Sequence, residues 1–316
     1  MIRQTLRSLS RAPGLSIAAI LTLALGVAFT TTMFSVVDAV LLKPLPFGDP
    51  DRVVSISDVH LKSGDRDQVS ASNFRDIAEG TKAIEAASLW IAQPATIAGS
   101  GNAERAMSLR VSPSLFRAFG VSPVIGRGFR EDEAVAGRGA VVVIGHGYWE
   151  SRFGGDPRVV GKTIRLDGVP HTIIGVLPPE FRFPDAEVSL WQPLILKDFE
   201  QKFRGKRMFQ AVGRLAPGAT VAQANAETRA IAATLAKQFP DNRDWTTDVR
   251  PIAQSIVTNP RPLWLLLAAA LLVLVLACAN VANLLLARAA ATRVDIVIRA
   301  ALGATRVDIL RHYLPE

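Results

Sequence analysis

The stretch from Gly155 to Thr163 comes closest to a motif with chemistry of its own. It reads GDPRVVGKT and ends in Gly-Lys-Thr, as phosphate-binding loops do. Such a loop needs four residues between its two glycines, so that the backbone amides curl round the phosphates. Five residues separate Gly155 from Gly161, and Pro157 removes a backbone donor. We therefore interpret Lys162-Thr163 as the turn into a β-hairpin rather than as a nucleotide site.

The other reactive residue types do not form a recognisable constellation. The four histidines show neither HxxxH nor HExxH spacing, and the sequence has no GxSxG elbow; the histidines are His60, His146, His171 and His312. Three consecutive acidic residues, Glu131 to Glu133, are typical of a solvated turn. Tryptophans 90, 149 and 191 are interpreted as packing residues. The sequence therefore predicts that the chain is not an enzyme and holds no metal or cofactor.

Two long apolar runs bracket most of the chain. Residues 12–37 and 262–287 each contain 26 positions without a formal charge. About 20 apolar residues are enough to cross a hydrocarbon core about 30 Å thick. A cleaved signal peptide has a shorter apolar region of about 7–15 residues, so the first run favours an uncleaved helix. We predict transmembrane helices over residues 13–42 and 261–287.

The formal charge of +8 is concentrated at the ends of these helices. Residues 44–260 contain 26 Lys/Arg and 24 Asp/Glu, whereas three arginines precede the first helix and five follow the second. The positive-inside rule therefore places residues 1–12 and 288–316 in the cytosol. Residues 43–260 then lie outside the cytoplasm, in the periplasm of a bacterial cell. The lipid membrane, and not a nucleic acid, is the partner that this charge pattern indicates.

The segment between the membrane helices has mixed periodicity. Strands are predicted over residues 52–61, 104–112, 208–215 and Val249–Ile252, with a buried strand followed by a helix within 140–155. Asp167-Gly168 predicts a type I′ turn between two further strands. Helices are predicted over 72–80 with Ser72 as N-cap, over 112–121 with Gly120 as its end, and over 220–240 with Thr220 as cap. This interleaving without a strict βαβ rhythm predicts an α+β extracytoplasmic domain between two transmembrane α-helices.

Small and polar residues on the membrane helices are candidate packing positions. A stripe at i, i+4, i+8 and i+12 would let a second helix approach closely: Ala18, Thr22, Gly26 and Thr30. The alternative is that these residue types are simply common in membrane helices. Asn280 and Asn283 are candidates for hydrogen bonds between helices, or for an interfacial position near Arg288.

Several stretches carry a resemblance to a known family. The strings ACANVANLLLARAAATR and RAALGATR resemble the start of the FtsX-type permease domain of MacB-like ABC transporters. FSVVDAVLLKPLPFGDPDRVV is similar to the end of the first membrane helix in these permeases. RVSPSLFRAFGVSPVIGRGF, VVVIGHGYWESRFGGDPRVVGKTIRLDGVPHTIIGVLPPEFRFP and RLAPGATVAQANAE resemble the MacB-like periplasmic core domain.

This resemblance implies a multi-pass permease of the inner (cytoplasmic) membrane that works in export or efflux. It implies a separate ABC ATPase subunit that uses the ATP, a second permease copy or half, and room for a periplasmic adaptor. Residues 288–316 would be the cytosolic coupling segment beside the ATPase, with the candidates Arg293, Arg299, Leu302, Gly303 and Ala304. Such permeases have at least four membrane helices, so the chain resembles an N-terminal part. The alternative function is a non-transport membrane sensor or scaffold with an extracytoplasmic ligand-binding domain.

Overall fold

The computed structural model describes residues 13–38, 48–98, 104–185, 187–256 and 261–301. The chain divides into two compact units: the segment 44–258, and the two flanking segments together.

In the 44–258 unit, the described residues contribute eleven strands to one sheet. The strands are β1 (Val53–His60), β2 (Arg66–Asp67), β3 (Ile84–Ala98), β4 (Glu104–Val111), β5 (Ile125–Gly126), β6 (Val141–Ile144), β7 (Thr163–Leu166), β8 (Val169–Val176), β9 (Val188–Pro193), β10 (Gln210–Leu215) and β11 (Trp245–Pro251). Their order is β11-β1-β10-β3-β4-β9-β6-β8-β5, with β2 beside β1 and β7 beside β3 and β8. The pairs β4–β9 and β6–β8 are parallel and the others are antiparallel.

The helices alternate with these strands irregularly. In chain order they are α1 (Pro13–Val37), α2 (Ala71–Gly80), α3 (Leu115–Phe119), α4 (His146–Phe153), α5 (Asp198–Lys202), α6 (Val221–Gln238), α7 (Ile252–Ile256) and α8 (Arg261–Ala301). Helices α2 to α7 belong to the 44–258 unit, which confirms the predicted α+β class.

Local signals in the sequence correctly located the tightest turn and the longest helix of this unit. Asp167 and Gly168 have φ of 50° and 83°, as a type I′ turn requires, and they join β7 to β8. Thr220 caps α6 through a reciprocal arrangement with Gln223. The Thr220 hydroxyl accepts from the Gln223 amide at 3.2 Å, while the Gln223 side-chain oxygen accepts from the Thr220 amide at 2.9 Å.

Two predicted boundaries are wrong. The N-cap of α2 is Ser70, because its backbone is extended and its hydroxyl accepts from the Asn73 amide at 3.3 Å. The Ser72 hydroxyl donates instead to the Gln201 carbonyl at 2.5 Å. The last strand begins at Trp245, and Ile252, predicted to end that strand, is the first residue of α7.

The core of the unit is rich in aromatic rings. Trp191 is 1% exposed and contacts Phe181, with ring centroids 5.8 Å apart. Phe119 and Phe183 lie 4.4 Å apart, and Trp90 meets Phe183 edge to face at 5.1 Å. These contacts confirm the packing role predicted for Trp90 and Trp191.

The described residues of the flanking unit form two long helices. Spans apolar enough to cross a membrane run over Ile20–Val37 and Arg261–Asn283 in the described residues. Helix α8 has 41 residues and continues without a break past the predicted boundary at 287 to Ala301. At about 1.5 Å per residue it is roughly 60 Å long, about twice the thickness of a hydrocarbon core.

The close packing of β5 on β8 at Gly126 predicts how a substitution there changes the free energy of unfolding. A Cβ at this position would lie 2.2 Å from the Ile174 carbonyl oxygen, and φ is +78°. Gly137 has a similar φ of +85° but open space around it. We expect Gly137→Ala to cost about 1 kcal/mol from backbone strain alone. Gly126→Ala adds an overpacking cost of about 1–3 kcal/mol. Urea denaturation of the 44–258 segment measures both, and equal losses would contradict the close approach.

Candidate functional site

The two candidate membrane helices, α1 and α8, contact each other through small residues. Gly26 of α1 is buried against α8, where a Cβ would lie 3.3 Å from Leu274 Cδ1 and 3.5 Å from Ala277 Cβ. On α8, Ala270 and Ala277 are also buried. Glycine and alanine let two helix backbones approach closely, which strengthens van der Waals contact where lipid offers no hydrophobic driving force.

Thr30 adds a polar contact to the same interface. Its hydroxyl lies 2.8 Å from the Gly26 carbonyl, one turn earlier in α1, and 3.2 Å from the Ala270 carbonyl of α8. A hydroxyl shared between two carbonyls joins the helices without leaving its hydrogen unpaired in an apolar setting.

The other predicted packing and coupling residues fall into described and undescribed positions. Thr22 is half-buried, whereas Asn280 and Asn283 are exposed on α8. Arg293 and Arg299 lie on the helical extension of α8. The side chains of Ala18, Arg293 and Arg299 lie outside the described part of the chain, as do Leu302, Gly303 and Ala304. Their roles stay predictions. Ala270 and Ala277 were missed, although two alanines seven residues apart in a leucine-rich run are a detectable signal.

The base of the 44–258 unit is the place where the chain arrives from α1 and leaves towards α8. Strands β1 and β11 are antiparallel neighbours, with Val54 opposite Pro251. The first and last strands of the domain therefore end side by side. Hydrogen bonds between these two strands therefore link the two ends of the domain.

Arg214 of β10 holds the incoming chain at this base. Its guanidinium donates to the Gly48 carbonyl at 3.2 Å and to the Asp49 carboxylate at 2.9 Å, and it pairs with Glu85 at 3.2 Å. The residue is 8% exposed. A Cβ on Gly120 would lie 2.9 Å from Arg214 Nη1, so the absence of a side chain there leaves the guanidinium its room.

Arg52 of the incoming segment binds the same Glu85 carboxylate. It donates to the Leu215 carbonyl at 3.0 Å and to Glu85 at 2.5 Å. One carboxylate thus joins an arginine of the incoming segment to an arginine of β10. We call Asp49, Arg52, Glu85 and Arg214 the base clamp. Sequence reasoning missed it, because nothing in the spacing of these four residues brings them together.

A second charged pair is buried at the far end of β1. The side chains of Asp58 and Arg207 are 4% and 6% exposed and meet at 2.8 Å. The Arg207 guanidinium stacks on the Trp245 ring at 3.8 Å. Burial raises the pKa of Asp58 to about 6, against the opposing attraction of Arg207.

The structure corrects one acidic prediction and confirms one turn. Glu133 is buried, not solvated, because it bends back to pair with Arg127 at 2.6 Å and to accept from the Arg130 amide at 2.8 Å. Burial opposes its ionisation, but these bonds lower its pKa overall. Lys162 pairs with Asp156 at 2.9 Å just before β7 begins, as expected for the turn into the hairpin. The described residues contain no group of side chains that could hold a metal ion.

Asp58 predicts a pH dependence with a definite sign. A pKa of about 6 in the folded state, against about 3.9 unfolded, means that the folded protein binds this proton more tightly. The stabilisation is complete below pH ~4 and is lost as the pH rises through 6. Each pKa unit corresponds to about 1.4 kcal/mol. The unfolding free energy of the wild type, relative to Asp58→Asn, should therefore fall by roughly 2 kcal/mol between pH 4 and pH 7.

Denaturant titrations of the 44–258 segment at several pH values measure this difference. Asp132→Asn, which removes an exposed carboxyl group, controls for the change in net charge. A difference between wild type and Asp58→Asn that stays constant with pH would contradict the assignment.

Gly26 predicts a steric limit on the helix contact. Gly26→Leu forces α1 away from Leu274 and should destabilise the helix pair by about 1–3 kcal/mol. Ala28→Leu places the same side chain on an exposed face and should have little effect. Titration with SDS, followed by energy transfer between dyes on α1 and α8, measures the separation. Identical curves for the two variants would rule out this packing.

Known proteins similar to this chain give the fold a family. The sequence profile of the MacB-like periplasmic core domain matches residues 16–231. No curated protein sequence matches the chain. A solved domain of a putative permease protein from Porphyromonas gingivalis has a TM-score of 0.51 and 19% identity, covering 65% of this chain and 92% of that one.

Two further solved structures are similar at lower scores. The periplasmic region of MacB from Actinobacillus actinomycetemcomitans has a TM-score of 0.49 and 15% identity, covering 70% of this chain and 96% of that one. The extracellular domain of the noncanonic ABC-type transporter YknZ from Gram-positive bacteria has a TM-score of 0.46 and 12% identity, covering 63% and 99%. At these identities the likeness concerns the fold alone. The profile match, which spans more than half of the chain, confirms the resemblance inferred from its motifs: the chain belongs to the family of the MacB-like periplasmic core domain.

Proposed function

We propose that this chain is part of a multi-pass ABC transporter permease of the inner (cytoplasmic) membrane. In this proposal residues 43–260 lie in the periplasm, and a separate ABC ATPase subunit hydrolyses the ATP. The permease converts that hydrolysis into a conformational change of the periplasmic domain, which serves export or efflux. In this proposal the chain itself is not an enzyme and holds no cofactor.

The observation that carries this proposal is the continuity of α8. Its candidate membrane span ends at Asn283, yet the helix continues for another 18 residues to Ala301. A helix that is stiff over this length transmits a push at one end to the other, whereas a flexible linker would absorb it. The extension carries Arg293 and Arg299, which we propose contact the ATPase together with Leu302, Gly303 and Ala304.

The contacts at the base of the periplasmic domain support the idea that a movement of the helices reaches the sheet. Along the chain, α1 leads to β1 and β11 leads through α7 to α8, and β1 and β11 are hydrogen-bonded neighbours. The base clamp fixes the incoming segment to β10 and β3, so a pull on this segment would move the sheet and not only a loop. A periplasmic adaptor would then meet the domain on surfaces away from this base.

Exposed apolar side chains on α1 and α8 support additional helices around the pair. Leu25 and Leu272 are 71% and 70% exposed, and Asn280 and Asn283 lie on exposed positions of α8. Lipid covers leucine well, but an asparagine amide at membrane depth is better satisfied by another helix. We propose that a second permease copy or half supplies that helix.

The coupling residues are tested in the complex purified from the native membrane. We expect the wild-type complex to contain an ABC ATPase, and ATP with vanadate to change hydrogen exchange in residues 48–56 and 249–256. Arg293→Ala/Arg299→Ala should lose both the ATPase and this response, because the cationic contact with the subunit is gone. The melting temperature of the periplasmic domain should stay the same.

Arg138→Ala/Arg158→Ala is the matched control, since it removes two exposed arginines of the periplasmic domain. It should retain both the ATPase and the response. A native complex without an ATPase, or one whose periplasmic domain ignores nucleotide, would contradict coupling and favour the membrane sensor or scaffold.

A further inference from the structure

A cleft of about 450 Å³ opens on the 44–258 unit, away from the base clamp. It lies at the carboxyl ends of the parallel strands β6 and β8, where the chain turns into α4 and into the loop that begins at Pro178. Crevices at the carboxyl ends of parallel strands are common binding sites, since the chain diverges there. The volume is in the range of small-molecule and short-peptide sites.

Two buried hydrogen-bond donors in the cleft lining lack an acceptor. Tyr148 is 8% exposed and Trp191 is 1% exposed, and both residues line the cleft. Neither the Tyr148 hydroxyl nor the Trp191 indole N–H has a hydrogen-bond partner among the described residues. A buried donor without a partner costs about 1–3 kcal/mol, so a fold keeps two in one cleft at a loss of stability. A ligand with acceptor oxygens would recover that loss.

The beginning of α4 adds further donors. The N-cap is Gly145, which has no side chain to accept from the first turn, and His146, Gly147 and Tyr148 follow it in the lining. The first amides of a helix have no partner within the helix. Combined with the two buried side chains, they make the inner wall of the cleft a surface for oxygen acceptors.

The charged side chains at the rim of the cleft favour a cationic ligand over an anionic one. Three carboxylates line it, on Glu104, Glu150 and Asp185, against Arg182 and the His146 ring, which lies 3.6 Å from Glu150. A ligand whose acceptors are anionic would be repelled by this rim. Neutral carbonyl oxygens avoid that repulsion, and a positive charge beside them would be attracted.

We infer that this cleft is a binding site for a basic peptide segment. The backbone carbonyls of the peptide would accept from Tyr148, Trp191 and the start of α4, while its lysine or arginine side chains would face Glu104, Glu150 and Asp185. The site does not depend on the proposed coupling to an ATPase, because each of its elements belongs to the periplasmic domain.

The test uses the full chain in lipid nanodiscs and three capped probe peptides. Their sequences are acetyl-AKAKA-amide, acetyl-AQAQA-amide and acetyl-AEAEA-amide, which carry two positive, no and two negative charges at the same two positions. Calorimetry should give the tightest binding for the lysine peptide and the weakest for the glutamate peptide. The indole ¹H–¹⁵N resonance of Trp191, identified through Trp191→Phe, should move downfield as its N–H gains an acceptor.

Tyr148→Phe separates binding from folding. The variant removes a hydroxyl that lacks a partner, so its melting temperature should not fall, whereas the lysine peptide should bind about 5–10-fold more weakly. Trp149→Phe is the matched control: the Trp149 indole already donates to the Asp156 carbonyl at 2.9 Å, and its loss should leave the affinity unchanged.

Several outcomes would overturn the inference. Equal affinity of Tyr148→Phe and wild type, or a Trp191 resonance that does not shift, would show that these donors do not bind the peptide. Equal or tighter binding of the glutamate peptide would contradict a preference of the cleft for positive charge. Absence of binding by all three peptides would contradict a peptide site in the cleft. All of these measurements are made without an ATPase, so a failure here and a failure of coupling are distinguished.

Discussion

The antiparallel pairing of β1 with β11 is the constraint on which the rest of this structure depends. A domain inserted between two membrane helices must begin and end near the same place. Seven residue pairs, from Val54–Pro251 to His60–Trp245, satisfy this requirement within the sheet itself. The strands between β1 and β11 in sequence then extend the sheet away from β1, in the order β10, β3, β4, β9, β6, β8.

Buried arginines stabilise this arrangement where other crosslinks are missing. The chain has a single cysteine, Cys278, so no disulfide forms within it. Arg214 and Arg207 each satisfy several acceptors from neighbouring segments, near opposite ends of strand β1. Burying a charge is costly, and removing one partner of such a pair leaves an uncompensated charge. These pairs therefore fix which segments lie together more than they add net stability.

The sequence predicted the features that depend on neighbouring residues. Asp167-Gly168 determines its turn because both residues tolerate positive φ, and Thr220 with Gln223 determines a helix start within four residues. The length of the two uncharged apolar runs was likewise sufficient to predict a domain between two long helices.

Features that depend on distant residues could not be predicted. β3 was missed because its alanines, Pro94 and irregular alternation give little strand signal, and its partners β10 and β4 decide its conformation. Either Ser70 or Ser72 could cap α2, and a carbonyl 129 residues away at Gln201 takes the hydroxyl of the second. Glu133 and the base clamp could not be predicted for the same reason, because their burial and ion pairs depend on contacts that form only in the folded sheet.

The neighbouring ends of β1 and β11 also bear on how such proteins diversify. Adjacent strands lie about 5 Å apart whatever the size of the sheet between them. Recombination at this junction can replace the whole extracytoplasmic module by another with the same spacing of its termini, while the membrane helices keep their mutual contact through Gly26 and Thr30. The transmembrane machinery and the external module are in this sense interchangeable parts, each free to acquire new specificity without rebuilding the other.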